Sequence, residues 1–450
     1  MSRNALGTKA LGVGLLFVIA VGAQSPNGSQ MSVLPISASE LKDIRDRQDL
    51  PGMRGHAWGV FSEITQPSMP GDQSSPPVWD TWEDRAELFS GQVQRSVDHT
   101  RERDIRLPLE VLASISQRVE NQDAAVKEAV RYIKERGVGP EVLYSPSAAS
   151  HIRSNKLYDP QVLQARWKTL SDLNSPIGET SIPEFPDSSI VVKALWLTVG
   201  PINPEVLRVW DPPDNSRLNC EYGCERQIKV QLAGPNQACN LPLQGTTPVL
   251  SSCFYSVPDP STQGYRLILF GLHVATKEME DWTWSTFWWQ DEPGKGEYAY
   301  GRPDARALQG YWRNYVMDTT LSMVTPEERS ARPTTVPAGQ RCLAKVSQTA
   351  KICFNPYLEL AMKPNGDKSN CMNCHRQATF PALDPDPRGS PQRGYLSSDD
   401  ACFGRQKVGD ITKERVVKVD YLWSLSPIDP QSKFGQFLVA VQNQLKLSAK

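Results

Sequence analysis

Tyr265-Arg266-Leu267-Ile268-Leu269-Phe270-Gly271-Leu272-His273 is the stretch from which the fold is best read. It is rich in aromatic and large apolar residues and follows the turn residues Ser261–Gly264, so it reads as a strand. Side chains alternate along a strand, which puts Leu267, Leu269, Gly271 and His273 on one face and leaves the histidine at its end. The same signature recurs over Ser189–Val199, Glu205–Trp210 and Gln227–Ala233, separated by turn-rich, cysteine-bearing connections. Trp282–Trp289 is a strand or an aromatic loop. Residues 182–300 are therefore expected to form an antiparallel β-region.

The pattern changes on either side. Ala38–Asp49 reads as a short helix, with Ser37 as its cap and Glu40 completing a capping box. Leu109–Arg136 has helical spacing, with Val126, Val130 and Ile133 on one face. Ser145-Pro146 and Asp159-Pro160 each place a cap residue before a proline, and so open helices over Pro146–Asn155 and Pro160–Leu173. Pro303–Asp318 also looks helical. Gln431–Leu447 reads as an amphipathic helix with Phe434, Phe437, Leu438, Val441 and Leu445 on its apolar side. The expected class is α+β. A mainly helical region spans 24–181, the β-region 182–300, and a loop-and-helix segment 301–450.

The chain has 450 residues, 36 of them proline, and a net charge of −1. Neither a basic excess nor a charge block is present, so nothing favours nucleic acid or an anionic membrane surface as partner. Residues 1–23 have the form of a secretory signal peptide: Arg3 and Lys9, an apolar run from Ala10 to Ala20, and small residues at Val21-Gly22-Ala23. That run is short for a membrane span, which needs about 20 residues. The mature chain is expected to begin near Gln24, to have no membrane span, and to be periplasmic or secreted.

Export permits disulfides among nine cysteines. Proximity in the chain suggests Cys342 with Cys353, two bridges among Cys220, Cys224, Cys239 and Cys253, and Cys402 left over.

Cys371-Met372-Asn373-Cys374-His375 carries the chemistry. Thiols three positions apart can each add to one of the two vinyl groups of a haem, and the adjoining histidine becomes the proximal iron ligand. The rival readings are a redox-active dithiol or half of a zinc site. The first wants a βαβ context and the second another close Cys/His pair. The flanks here are loop-like, and no histidine follows His375. One covalently bound haem c per chain is the expected cofactor, held by Cys371, Cys374 and His375.

Residues 376–450 contain neither Met nor His, which excludes the usual downstream methionine ligand. A sixth His or Met ligand must come from upstream, or the iron is five-coordinate. His273 is the first candidate because a strand end holds an imidazole rigidly. His56, beside Trp58, is the second. Trp282, Trp284, Trp288 and Trp289 either wall a haem pocket or serve as packing. Lys277-Glu278 and Glu280-Asp281 read first as a solvated charged turn, with acid–base chemistry as the alternative.

The chain resembles a family of secreted bacterial proteins described as c-type cytochrome family proteins. The matching patches are His56-Ala57-Trp58, Pro77–Trp82, Val191–Trp196, Gly271–Lys277 with Trp282–Phe287, Asn355–Glu359 and Asn370–His375, with Asp420–Trp423 a weaker match. The resemblance implies that the whole mature chain is one unit. It lends His375 the proximal role and marks His56, His273 and the tryptophans as functional without assigning them roles. Relatives carry an acidic and a polar residue where this chain has Trp288-Trp289. The expected role is electron transfer with a redox partner protein or a small-molecule donor or acceptor. The alternatives are a haem-dependent oxidoreductase with an open distal site and a haem-based ligand sensor.

Overall fold

The computed structural model describes residues 36–90, 103–105, 112, 115–116, 119–136, 138–171, 179–210, 225–241, 247–303, 308, 310–321, 353, 355, 357, 371, 375, 378–380, 416–425 and 433–448. Residues 1–23, read above as a signal peptide, lie outside them, as do Cys220, Cys224, Cys342, Cys374 and Cys402. All described residues belong to one compact unit, Pro35–Lys450.

The protein is α+β. Among the described residues the α-helices are α1 (Ala38–Asp46), α2 (Leu50–Ile64), α3 (Arg85–Phe89), α4 (Gln122–Arg136), α5 (Pro146–Ser154), α6 (Pro160–Ser171) and α7 (Lys433–Ser448). The strands are β1 (Glu83–Asp84), β2 (Val138–Tyr144), β3 (Glu179–Ser181), β4 (Ile190–Val199), β5 (Glu205–Trp210), β6 (Glu225–Gln231), β7 (Val249–Leu250), β8 (Ser256–Pro258), β9 (Arg266–Thr276), β10 (Thr283–Trp289), β11 (Tyr315–Thr320), β12 (Thr379–Phe380) and β13 (Val416–Lys418). The helix starts follow their caps. Ser37 accepts from the Glu40 amide, Asp49 from Gly52, and Ser145 from Ala148, with Pro51 and Pro146 in the first turns.

A seven-stranded antiparallel sheet organises the molecule, in the order β1-β2-β4-β9-β10-β11 with β8 also paired to β9. It draws strands from all three sequence regions. Two expectations are corrected here. Pro303–Asp318 is not a helix: a short 3-10 turn over Gly310–Asn314 leads into β11, whose six residues are all buried at the sheet edge. The face assignment within β9 also changes. The register with β4 shifts between Leu195 and Trp196 and skips Phe270, so Leu267 and Leu269 point away from the side shared by Gly271 and His273.

Registered antiparallel partners share a face. One face therefore carries Tyr144, Val191, Lys193, Gly271, His273, Ala275, Trp284, Thr286, Trp288 and Asp318. The other carries Glu141, Leu272, Thr276, Phe287 and Tyr315, and α2 packs there: Phe61 stacks on Phe287 at 4.2 Å. Elsewhere, α4 and α7 pack together through Val126, Val130, Phe437 and Val441, as their spacing predicts. Cys239 and Cys253 form a disulfide, one of the bridges expected within their group of four.

Candidate haem-attachment site

Cys371 and His375, four residues apart in the chain, both have helical backbone. Both lie against the first face of the sheet. Cys371 is buried in an apolar cluster with Tyr144, Val191, Ala275, Trp282 and Trp284. The His375 imidazole lies against the Trp284 indole, with centroids 4.2 Å apart and planes inclined by 39°. Its Nδ1–H donates to the Tyr421 carbonyl at 2.8 Å. A carbonyl can only accept, so Nδ1 carries a proton.

The carbonyl is aimed by an unusual turn. Asp420 and Tyr421 have φ of 46° and 67°, in the left-handed region that non-glycine residues rarely occupy. Each such residue costs about 1–3 kcal/mol, and it persists where its surroundings over-determine it. They do so here. The Asp420 carboxylate accepts from Lys277 Nζ at 3.0 Å, from Trp282 Nε1 at 3.2 Å and from the Phe185 amide at 3.3 Å. The Tyr421 hydroxyl donates to Asp281 Oδ1 at 2.5 Å. The Lys277–Trp282 segment between β9 and β10 thus clamps the turn that orients His375.

A turn forms here, but Lys277 and Glu278 are 2 % and 6 % exposed, so its first half is buried and only Glu280 is solvated as expected. Glu278 reaches the opposite side of the sheet. Its carboxylate accepts from His56 Nε2 at 2.9 Å and from the Thr276 hydroxyl, which in turn accepts from Thr283 at 2.7 Å.

The two distal candidates are accordingly separated. His273 is on the same face as His375. It stands in register with Lys193, Thr286 and Asp318, forming one polar row across β4, β9, β10 and β11. Asn355 joins the row by donating to Thr286 Oγ1 at 2.8 Å. Gly271 makes room for Leu195 on β4: a Cβ there would stand 2.9 Å from the Leu195 side chain. His56 is on the other face, tied to Glu278, and the structure does not bring it to the motif. The tryptophans divide likewise. Trp284 and Trp288 are on the motif face and Trp282 is in its cluster, whereas Trp289 stacks on Phe254 at 4.3 Å and donates to the Cys253 carbonyl.

Four participants escaped the sequence reading. The Tyr421 carbonyl is a backbone atom with no side-chain signature. Asp318 and Thr286 enter the row only through strand register. Cys353, expected to pair with Cys342, has its sulfur 3.5 Å from that of Cys371.

The described residues fit a covalent haem: a thiol and an imidazole four residues apart against one aromatic wall, and an acceptor for Nδ1–H that would leave Nε2 to ligate. Among the described residues no group of three His, Cys, Asp or Glu side chains is arranged to hold a bare metal ion, and no helix is long and apolar enough to cross a membrane. Comparison with known proteins returns no match: no family model, no curated protein and no solved structure matches this chain.

Proposed function

We propose that this chain is an exported monohaem c-type cytochrome-like protein that transfers electrons, with one haem c attached through Cys371 and Cys374 and His375 as proximal ligand. The observation that carries the reading is the hydrogen bond from His375 Nδ1 to the Tyr421 carbonyl beside Trp284. When bound, the haem supplies a one-electron couple between ferrous and ferric iron. The protein's own contribution is orientation. The clamped Asp420–Tyr421 turn holds the imidazole plane and makes the ring a stronger donor through its Nδ1 bond. Trp284 and the cluster around Cys371 keep water from one side of that ring. His273 is the proposed sixth ligand, on the face the motif occupies. A periplasmic or secreted setting and a redox partner protein or small-molecule donor or acceptor go with this role.

A haem-dependent oxidoreductase is the second reading, and the polar row favours it. Lys193, His273, Thr286 and Asp318 on the motif face supply proton donors and acceptors where a distal substrate would sit. One experiment tests both. Mature chain made in a host with haem-attachment machinery should be coloured and heavier than the bare processed chain by one haem. A low-spin ferric spectrum supports electron transfer; a high-spin, peroxide-reactive spectrum supports the oxidoreductase. A colourless protein of bare mass overturns both.

A further inference from the structure

We infer that Cys353 is a redox partner of the attachment cysteine Cys371, forming a Cys353–Cys371 disulfide in the haem-free chain that must be reduced before thioether formation. The inference rests on the proposed haem reading for its consequence, but the disulfide itself is testable without haem.

The two sulfurs are 3.5 Å apart, and the Cys371 thiol also points at the Cys353 carbonyl at 3.4 Å. A disulfide bond is about 2.05 Å long, so closure needs only a small inward movement. Cys353 is fully buried and Cys371 is 8 % exposed, both within one apolar cluster. Each approaches from a separately anchored segment. On the first, two residues from Cys353, Asn355 donates to Thr286 on β10 at 2.8 Å. On the second, His375, four residues beyond Cys371, is held by Tyr421 and Trp284. The sulfurs therefore meet because the sheet brings their segments together, although 18 residues separate them in the chain.

The chemistry balances by thiol–disulfide exchange. The two thiols lose two protons and two electrons to the disulfide of an exported oxidoreductase, which becomes a dithiol. Reduction by a second dithiol reverses the step and returns the Cys371 thiol. That thiol then adds across a haem vinyl group with no net change of oxidation state. Cys353 stays behind as a buried thiol beside the thioether. The bridge thus protects Cys371 from oxidation until attachment, and makes attachment depend on a reductant.

The test uses the full chain from a host without haem-attachment machinery, alkylated on lysis and digested with trypsin unreduced. The peptides Ile352–Lys368 and Ser369–Arg376 should be recovered cross-linked, with the alkyl group on Cys374. Cys353→Ser should release Cys371 to alkylation. In the attachment-competent host it should also lower the amount of added reductant needed for full haem loading. Recovery of a Cys371–Cys374 bridge, or of alkylated Cys353 and Cys371, overturns the inference. If the cross-link is found but the competent host yields bare-mass protein, the haem reading fails and the disulfide stands. If haem is attached and no cross-link forms in its absence, only the disulfide fails.

Discussion

On one face of the central sheet, His56 is tied to Glu278, Trp58 packs on Phe287 at 5.2 Å, and Asp80, Arg103 and Glu141 form a buried ionic network. On the other face, His273 stands in a polar row and the His375 ring lies against Trp284. Both faces use histidine, tryptophan and charge. The difference lies in what terminates each polar group. On the α2 face the Arg103 guanidinium bonds Asp80 twice, at 2.7 and 2.9 Å, and Glu141 at 3.0 Å; Tyr255 also donates to Asp80 Oδ2 and Trp196 to Glu141 Oε2. Burial opposes the Arg103 charge, yet Asp80 and Glu141 hold its pKa above the ordinary guanidinium value. Burial beside the Asp80 carboxylate pushes the Tyr255 hydroxyl far up, so it remains a donor. That face is a cement. On the motif face the hydrogen bonds through Tyr421 and Asp420 orient a ring that lies against the sheet.

The comparison breaks most completely at the motif. His375→Ala should leave any attached haem without its proximal ligand, and Cys371→Ser with Cys374→Ser should abolish attachment altogether, read by mass and colour. Both variants should still fold, because the α2 face does not depend on them. Next come the paired histidines. His273→Ala should convert a low-spin ferric spectrum to high-spin, whereas His56→Ala should leave the spectrum intact and lower stability by about 1–3 kcal/mol through the unpaired Glu278. A spectral change in His56→Ala alone would reverse the assignment of the faces. Arg103→Ala should destabilise the fold by about 3–5 kcal/mol in chemical denaturation, since it strands two buried carboxylates, with the haem spectrum of the remaining folded protein unchanged.

The smallest effect concerns Glu63 on α2. Partial burial and the neighbouring Glu278 charge raise its pKa above 4.5. The folded state then binds this proton more tightly than the unfolded chain. Its contribution to stability is complete below the ordinary glutamate range and declines as pH rises through and just above it. Glu63→Gln should flatten that decline in denaturation curves taken from pH 4 to pH 7.

Elements set by local chemistry were legible in the chain: Ser37 and Ser145 as caps, β4 and β9 from their runs of β-branched and large apolar residues, and the matched apolar stripes of α4 and α7. Elements set by tertiary pairing were not. β2 contains Gly139 and Pro140, poor strand formers, and is held by its register with β4. α2 contains Gly52, Gly55 and Gly59, and forms because Trp58, Phe61 and Ile64 are buried. The site divides the same way. Cys371, Cys374 and His375 announce themselves by spacing alone. The Tyr421 carbonyl, the Asp318 row and the Cys353 contact exist only once distant segments meet.

The acceptor for His375 lies 46 residues downstream of it. During synthesis the histidine therefore emerges well before the segment that aims it. Its proper orientation is a property of the finished chain. A premature stop or a proteolytic nick before residue 420 would leave the binding pentapeptide intact in letter while depriving its histidine of a direction.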